Sequence, residues 1–323
     1  MGEAERAALT MRAVVVPRPE LARFRLTGGG RVTCLQGLVT CDVAQPGDGS
    51  HVFGALLTAK GMIVAPLWIT RLADAILVEA PAVAAPAVAA TFERSLPPRL
   101  CKCEDVSSVF ATVGLYGPAA AGCLAAALDG EPPAAGRAAE LRRDGASAVV
   151  ARVAARGVDG FDCVVPAGDA EAFAARLGRA GAVAASPALL EERRILAGFP
   201  RLGAEIDEKT LPQEVRLDEL GGVSFTKGCY LGQETVARIH FRGHANRYLA
   251  GLGLGGEPAA LPADVSHGGQ IAGRLTSACW WPAQDTWAGL AVLRRSVAPG
   301  SVVDLGGASE ATVTELPWER PSP

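Results

Sequence analysis

Eight consecutive residues, Lys227-Gly228-Cys229-Tyr230-Leu231-Gly232-Gln233-Glu234, put a thiol, an ammonium, a phenol, an amide and a carboxylate into one short stretch. A reactive cysteine needs thiolate character, which a neighbouring cation or the free N–H groups of a helix start both favour. Val223-Ser224-Phe225 reads as extended, Lys227-Gly228 as a turn, Gly232 as a second tight turn, and Gln233 to Ile239 as the start of a helix. That order sets Cys229 beside Lys227 and close to backbone N–H groups, which makes it a candidate reactive thiol. The plainer alternative is a tight turn whose small residue happens to be cysteine. Cysteines are usually buried packing residues, and the residues alone favour this alternative.

Other chemistry-bearing residues are scattered. The remaining cysteines lie at 34, 41, 101, 103, 123, 163 and 279, and only Cys101-Lys102-Cys103 is a close pair. Further ligands are not evident beside it, so no metal site is expected. His240 and His244 are four apart, but Gly243 interrupts their helix and no acidic ligand follows. With Arg238, Arg242 and Arg247 they read as a solvated hinge, or else as a contact for an anionic tail or an RNA phosphate.

The elements that must position these residues follow from periodicity and punctuation. Residues 12–16 and 22–26 read as short strands around Pro17 and Pro19. Gly28-Gly29-Gly30 reads as a turn, with no Gly-Lys-Ser/Thr to make it a phosphate loop. A helix is predicted over 31–42, strands over 52–58 and 62–70 joined by a hairpin at Lys60-Gly61, and a further strand over 74–79. Then come a helix over 82–95, a strand over 109–115, and a helix from Gly117-Pro118 to about 128. A loop from Gly130 to Gly136 precedes strands over 147–153 and 161–165 and helices over 168–181 and 187–198. Beyond residue 245 the texture is short strands and Gly/Pro turns with no helix, the pattern of a small antiparallel barrel or sandwich. No internal repeat is evident.

The 323 residues are 49% hydrophobic, enough for a sizeable core. The net charge of −3 argues against a general nucleic-acid binder, though a local patch could still meet one folded RNA. The N-terminus has no apolar stretch of the secretory type, and no apolar run is long enough to span a bilayer, so a soluble cytoplasmic protein without membrane contact is expected.

The segment Lys227–Glu234 resembles the K-G-C-Y-x-G-Q-E signature of the YgfZ-type folate-binding proteins, relatives of the aminomethyltransferase (T-protein) of the glycine cleavage system. Leu35-Gln36-Gly37-Leu38-Val39-Thr40-Cys41-Asp42-Val43, Gly157-Val158-Asp159-Gly160-Phe161-Asp162, Arg194-Ile195-Leu196-Ala197-Gly198-Phe199-Pro200 and Leu211-Pro212-Gln213-Glu214 are similar to further segments of that family. The likeness runs from about residue 20 to 248. It implies an α+β, GcvT-like folate-binding fold of mixed sheets and helices, with two intertwined subdomains over 1–240 and a C-terminal antiparallel β-barrel over 241–323. It also implies tetrahydrofolate or another reduced folate as cofactor. Asp162 is then the carboxylate for the pterin's aminopyrimidine, which suits a bidentate acceptor. Arg194 would meet the glutamyl tail or a buried carboxylate, and Glu214 is a further folate contact. Cys229 and Lys227 form the working pair, with Gly228, Tyr230, Gly232, Gln233 and Glu234 completing the motif. The implied role is support of iron–sulfur enzymes, including tRNA-modifying ones, with those enzymes or assembly proteins, and tRNA, as partners. A single cysteine does not hold a stable cluster. The chain departs from the T-protein at Gly61-Met62-Ile63-Val64-Ala65-Pro66-Leu67, where alanine and proline replace two aspartates. Neither can take a proton or orient a folate nitrogen, so aminomethyl transfer is not expected. An aminomethyltransferase and a non-catalytic tRNA- or protein-binding scaffold are the alternatives.

Overall fold

A computed structural model describes residues 2–153, 157–306 and 309–319. After helix α1 (Glu3–Met11) the chain runs through β1 (Val14–Pro17), β2 (Leu21–Thr27), α2 (Arg31–Gln36), β3 (Ser50–Leu57), β4 (Ile63–Arg71), β5 (Ile76–Pro81) and α3 (Ala85–Ser95). It continues through β6 (Lys102–Asp105), β7 (Phe110–Tyr116), α4 (Ala120–Ala127), β8 (Ala138–Arg143), β9 (Ala146–Val153), β10 (Gly160–Pro166), α5 (Ala170–Arg179) and β11 (Val183–Ala184). Helices α6 (Pro187–Leu196) and α7 (Gln233–Arg242) lead to strands β12 (Arg247–Leu254), β13 (Ala263–His267), β14 (Gln270–Trp281), β15 (Thr286–Arg294), β16 (Val302–Asp304) and β17 (Glu310–Thr314).

Two sheets carry the α+β part. One has the order β3-β4-β5-β2-β6 and the other β8-β9-β10-β7-β1-β11. Each is built from the same run of elements: a long strand, a helix, three strands and a second helix. Leu26-Thr27-Gly28 and Leu115-Tyr116-Gly117 end the long strands, and Cys34-Leu35 and Cys123-Leu124 follow at equal spacing, with both leucines fully buried. Gly28 and Gly117 both adopt left-handed backbone, and a Cβ on either would strike a backbone carbonyl, of Leu100 and of Arg12 respectively. Each of those carbonyls lies two residues before a short strand, β6 or β1. The short strands are exchanged: β1 pairs with β7, and β6 pairs with β2. The two halves are therefore intertwined, and the repeat that sequence reading does not reveal rests on a few spaced residues.

Several elements differ from expectation for local reasons. Helix α2 stops at Gln36 instead of continuing to 42. Gly37 follows it, Thr40 gives its hydroxyl to the Gly222 carbonyl, and Asp42 accepts the N–H groups of Ala44 and Gln45. These polar side chains offer the backbone an alternative to the helix. Helix α1 and strands β8 and β13 lack a clear sequence signal. The division after residue 240 falls inside α7, which runs to Arg242 before extended Gly243 ends it.

The C-terminal strands close into a six-stranded barrel of order β12-β15-β14-β13-β16-β17. Its interior holds Leu252, Val265, Leu275, Leu293 and Val313. Helix α6 seals one side of it, with Ile195 and Leu196 packed on Leu249, Ala288 and Leu290. Burying such side chains supplies about 2 kcal/mol each, so α6 is firmly tied to the barrel.

Candidate functional site

A cavity of about 620 Å³ opens between the two sheets and α6. Its walls are mostly apolar: Leu21, Pro66, Trp68, Pro81, Leu190 and Phe199. Trp68 and Phe199 lie with ring centroids 6.2 Å apart and nearly parallel planes, and Phe53 packs on both. Pro66 faces the cavity, whereas its neighbour Ala65 is buried in the core on the other face of β4. Of the two positions where the aminomethyltransferase carries aspartates, the one facing the cavity thus bears proline, which offers neither donor nor acceptor. A second cavity of about 430 Å³, lined by Cys41, Asp42, Phe53, Trp68 and Ser224 among others, shares the Trp68 wall. Both are of the size and apolar character that suit a heterocyclic ligand.

The polar floor of the first cavity is a buried cluster that sequence reading identifies only in part. Asp162 on β10 is fully buried and does not itself line the cavity. Arg18, in the corner between β1 and β2, lines it and donates from Nη1 to Asp162 Oδ1 at 3.2 Å and to the Tyr116 hydroxyl at 2.5 Å. That hydroxyl donates in turn to Asp162. Glu20, half exposed at the rim, accepts from Arg18 Nε at 2.5 Å. Tyr116 reaches Asp162 by lying over Gly114, the residue that faces Asp162 across the β7–β10 pairing. A Cβ at 114 would collide with the hydroxyl and edge of the Tyr116 ring, so only glycine allows this approach. Beside the cluster, Arg23 bonds Thr112, whose hydroxyl donates to Glu79. Arg18 stands in the recognisable run Pro17-Arg18-Pro19-Glu20, and Tyr116 is one of three tyrosines, but nothing local marks either as part of a site.

Arg194 lines the same cavity, with its guanidinium fully engaged. Nε and Nη2 clasp Glu191 at 2.8 Å each, Nη1 reaches the Phe199 carbonyl and buried Glu205, and Nη2 reaches Ser277 of the barrel. All five donors of a guanidinium are used, so Arg194 fastens α6 to the barrel through a buried carboxylate and has none left for a glutamyl tail in this arrangement. Glu214 is also committed: it accepts from Nε and Nη2 of Arg247 at 3.0 and 2.9 Å and from the Leu211 N–H at 3.0 Å. Arg194 thus lines the cavity and Asp162 lies beneath it behind Arg18, whereas Glu214 joins the signature region to β12.

The signature segment is clamped from both sides. Lys227 turns inward and donates to the carbonyls of Gln36, Val39 and Cys41, each at 2.7 Å, closing the end of α2. Burial pulls its ammonium down to about 8, against the pull of Cys41 and Asp42 towards higher values. Three carbonyl acceptors suit the charged form. Tyr230 is also buried, which pushes its phenol up to about 12, and its ring lies 5.2 Å from Lys227 Nζ. Leu231 N–H bonds Gly37 O at 3.0 Å, and left-handed Gly232 fits against the β3–β4 hairpin, where a Cβ would strike the Thr58 carbonyl. Gln233 and exposed Glu234 open α7. Between the two anchors, Gly228 and Cys229 are exposed, and Cys229 lines neither cavity. Lys227 is therefore spent on backbone carbonyls, and the exposed functional group between the two anchors is the thiol. Phe225 stacks on His240 with centroids 3.6 Å apart, pinning the entry of the loop to the far end of α7. Among the described residues no cluster of three or more His, Cys, Asp or Glu is arranged to hold a metal ion.

Two exchanged α+β halves, a closed barrel and an aromatic cavity with a carboxylate beneath it define the class. Residues 2–224 match the GCVT N-terminal domain family, and the chain belongs to it. The fold agrees: the aminomethyltransferase T of the glycine cleavage system from Bartonella henselae superposes with a TM-score of 0.87 at 23% identity, over 98% of this chain and 89% of that one. Within the family this is a YgfZ-type, GcvT-like protein. It is 31% identical to the tRNA-modifying protein YgfZ of Escherichia coli over 73% of this chain and 70% of that protein, and 30% identical to its namesake in Cronobacter sakazakii over 76% and 74%. It is also 29% identical to an aminomethyltransferase of Rubrobacter xylanophilus over 90% of this chain and 78% of that enzyme. No helix among the described residues is long and apolar enough to cross a membrane.

Proposed function

We propose that this protein binds a reduced folate, tetrahydrofolate being the simplest, and supports iron–sulfur enzymes in the cytoplasm, tRNA-modifying ones among them, through the thiol of Cys229. The observation that carries the reading is the construction of the signature loop: Lys227 and Tyr230 are buried as anchors while Cys229 between them is exposed. A thiol held on a fixed loop at the surface, outside both cavities, is placed to meet a macromolecular partner, either an iron–sulfur enzyme or an assembly protein. The relatives named for tRNA modification favour a partner that acts on tRNA.

The folate suits the residues present. Trp68 and Phe199 offer flat apolar walls to a pterin, and Asp162 lies beneath the floor as an acceptor for its amino group. A bound reduced folate supplies a carrier for one-carbon groups. The protein's own residues orient it and exclude water. The aminomethyltransferase reading draws on the relative that matches most of the chain. Against it stands Pro66 at the cavity wall, which leaves that position without a group to move a proton.

The test is a pair of measurements on one variant, Cys229→Ser. Calorimetric titration with tetrahydrofolate should give the same affinity as the unchanged protein, while activity of the client tRNA-modifying enzyme in cells lacking the native gene should fall at least tenfold. Full complementation by Cys229→Ser would remove the thiol from the mechanism. Absence of tetrahydrofolate binding by either form would favour the scaffold.

A further inference from the structure

Arg18 stands between the cavity and Asp162. The carboxylate is fully buried and the guanidinium lines the cavity wall, donating from Nη1 to Asp162 and Tyr116. A guanidinium presents adjacent N–H donors on an N–C–N unit, as the aminopyrimidine edge of a pterin does. We propose that Arg18 is a built-in stand-in for such a heterocycle. It fills the donor position at Asp162, and a ligand with an aminopyrimidine edge enters by displacing it. The identity of the ligand as a folate rests on the function proposed above; the displacement itself does not.

Three features of the site make the exchange feasible. Arg18 keeps a partner when it leaves, because its Nε is already held at 2.5 Å by Glu20, which is half exposed at the rim. Asp162 keeps its charge satisfied, because ligand N–H groups replace Nη1 while the Tyr116 hydroxyl stays in place. The motion is confined to the side chain. Pro17 and Pro19 flank Arg18, its N–H bonds Thr112 O at 3.0 Å, and its carbonyl accepts from Leu21 N–H and Arg23 Nη2.

The exchange makes Arg18 a specificity determinant. A ligand without N–H donors to offer Asp162 cannot replace Nη1 and leaves the floor closed. A ligand with them binds with its affinity reduced by the work of moving Arg18, as for any site that is open only part of the time. Gly114 contributes indirectly, because it lets Tyr116 reach the same Asp162 oxygen and keep one donor there when Nη1 leaves.

The experiment compares the unchanged protein with Arg18→Ala and Arg18→Gln. Tetrahydrofolate is titrated by calorimetry, and isocytosine, a bare 2-amino-4-oxopyrimidine, is followed by thermal shift. Arg18→Ala should bind tetrahydrofolate at least tenfold more tightly, the gain should vanish when Asp162→Asn is added, and isocytosine should stabilise only the variant. Equal or weaker tetrahydrofolate binding by Arg18→Ala, with no response to isocytosine, overturns the proposal. If neither form binds tetrahydrofolate but isocytosine stabilises Arg18→Ala alone, the folate reading falls and the displacement stands. Should Arg18→Ala fail to fold, Arg18→Gln decides the matter: tighter tetrahydrofolate binding than the unchanged protein supports the exchange, and unchanged or weaker binding refutes it.

Discussion

The two α+β halves share one plan and part company in what they do with charge. In the first, the cavity-facing positions of β4 are Pro66 and Trp68, and proline stands where the cavity-facing aspartate of an aminomethyltransferase would be. In the second, β7 and β10 bring Tyr116 and Asp162 into a buried cluster closed by Arg18. The helix that follows the long strand shows the same divergence. The end of α2 is closed by Lys227, a buried ammonium from a segment almost two hundred residues away. The end of α4 is closed by Arg143 of the neighbouring strand β8, which bonds the carbonyls of Ala125 and Ala126 and pairs with exposed Asp129. A cation at a helix C-terminus is favourable in both places. Its weight depends on whether later parts of the chain cover it, and only the first half is covered by the signature loop.

Three single substitutions and one double variant would break or sharpen that contrast. Lys227→Met should cost the most, about 3 kcal/mol in urea unfolding, because three covered carbonyls lose a charged donor. A loss below about 1 kcal/mol would make the two helix ends equivalent. Gly114→Ala should come next, at about 2 kcal/mol by thermal unfolding, because the Tyr116 ring has no room to yield. Tyr116→Leu in the same chain should recover part of that loss, and simple additivity of the two changes would mean that the ring and the glycine are not coupled. Arg143→Met should cost least, at most about 1 kcal/mol, since its partner is exposed and water can replace it at the carbonyls. An effect there as large as that of Lys227→Met would erase the distinction between the halves.

Much of the fold was legible where local signals agreed. The β3–β4 hairpin followed from alternation around Lys60-Gly61, α6 from Pro187 behind Ser186, and the barrel from its short strands and turns. Helix α2 is shorter than its pattern predicts because the apolar positions to residue 42 continue a helical period while Thr40 and Asp42 make side-chain bonds beyond its end. The duplication was hidden because equivalence of the halves lies in strand exchange and a few spaced glycines and leucines, while most other positions are free to vary.

The sequence by itself determined the family, through Lys227–Glu234 and its companion segments, and the loss of the aminomethyltransferase carboxylates, through Ala65-Pro66. Eight contiguous residues of defined type carry that information without any reference to distance. The tertiary structure alone decided the employment of each polar side chain. Lys227 looked like the activator of Cys229 because they are two residues apart, yet the turn sends one inward to three carbonyls and the other out to solvent. Asp162 looked like a direct ligand contact, yet Arg18, 144 residues away in the chain, lies over it. Adjacency in sequence fixes which groups are close along the backbone, but burial and donor count decide which of them remain available, and both depend on parts of the chain that meet only when it folds.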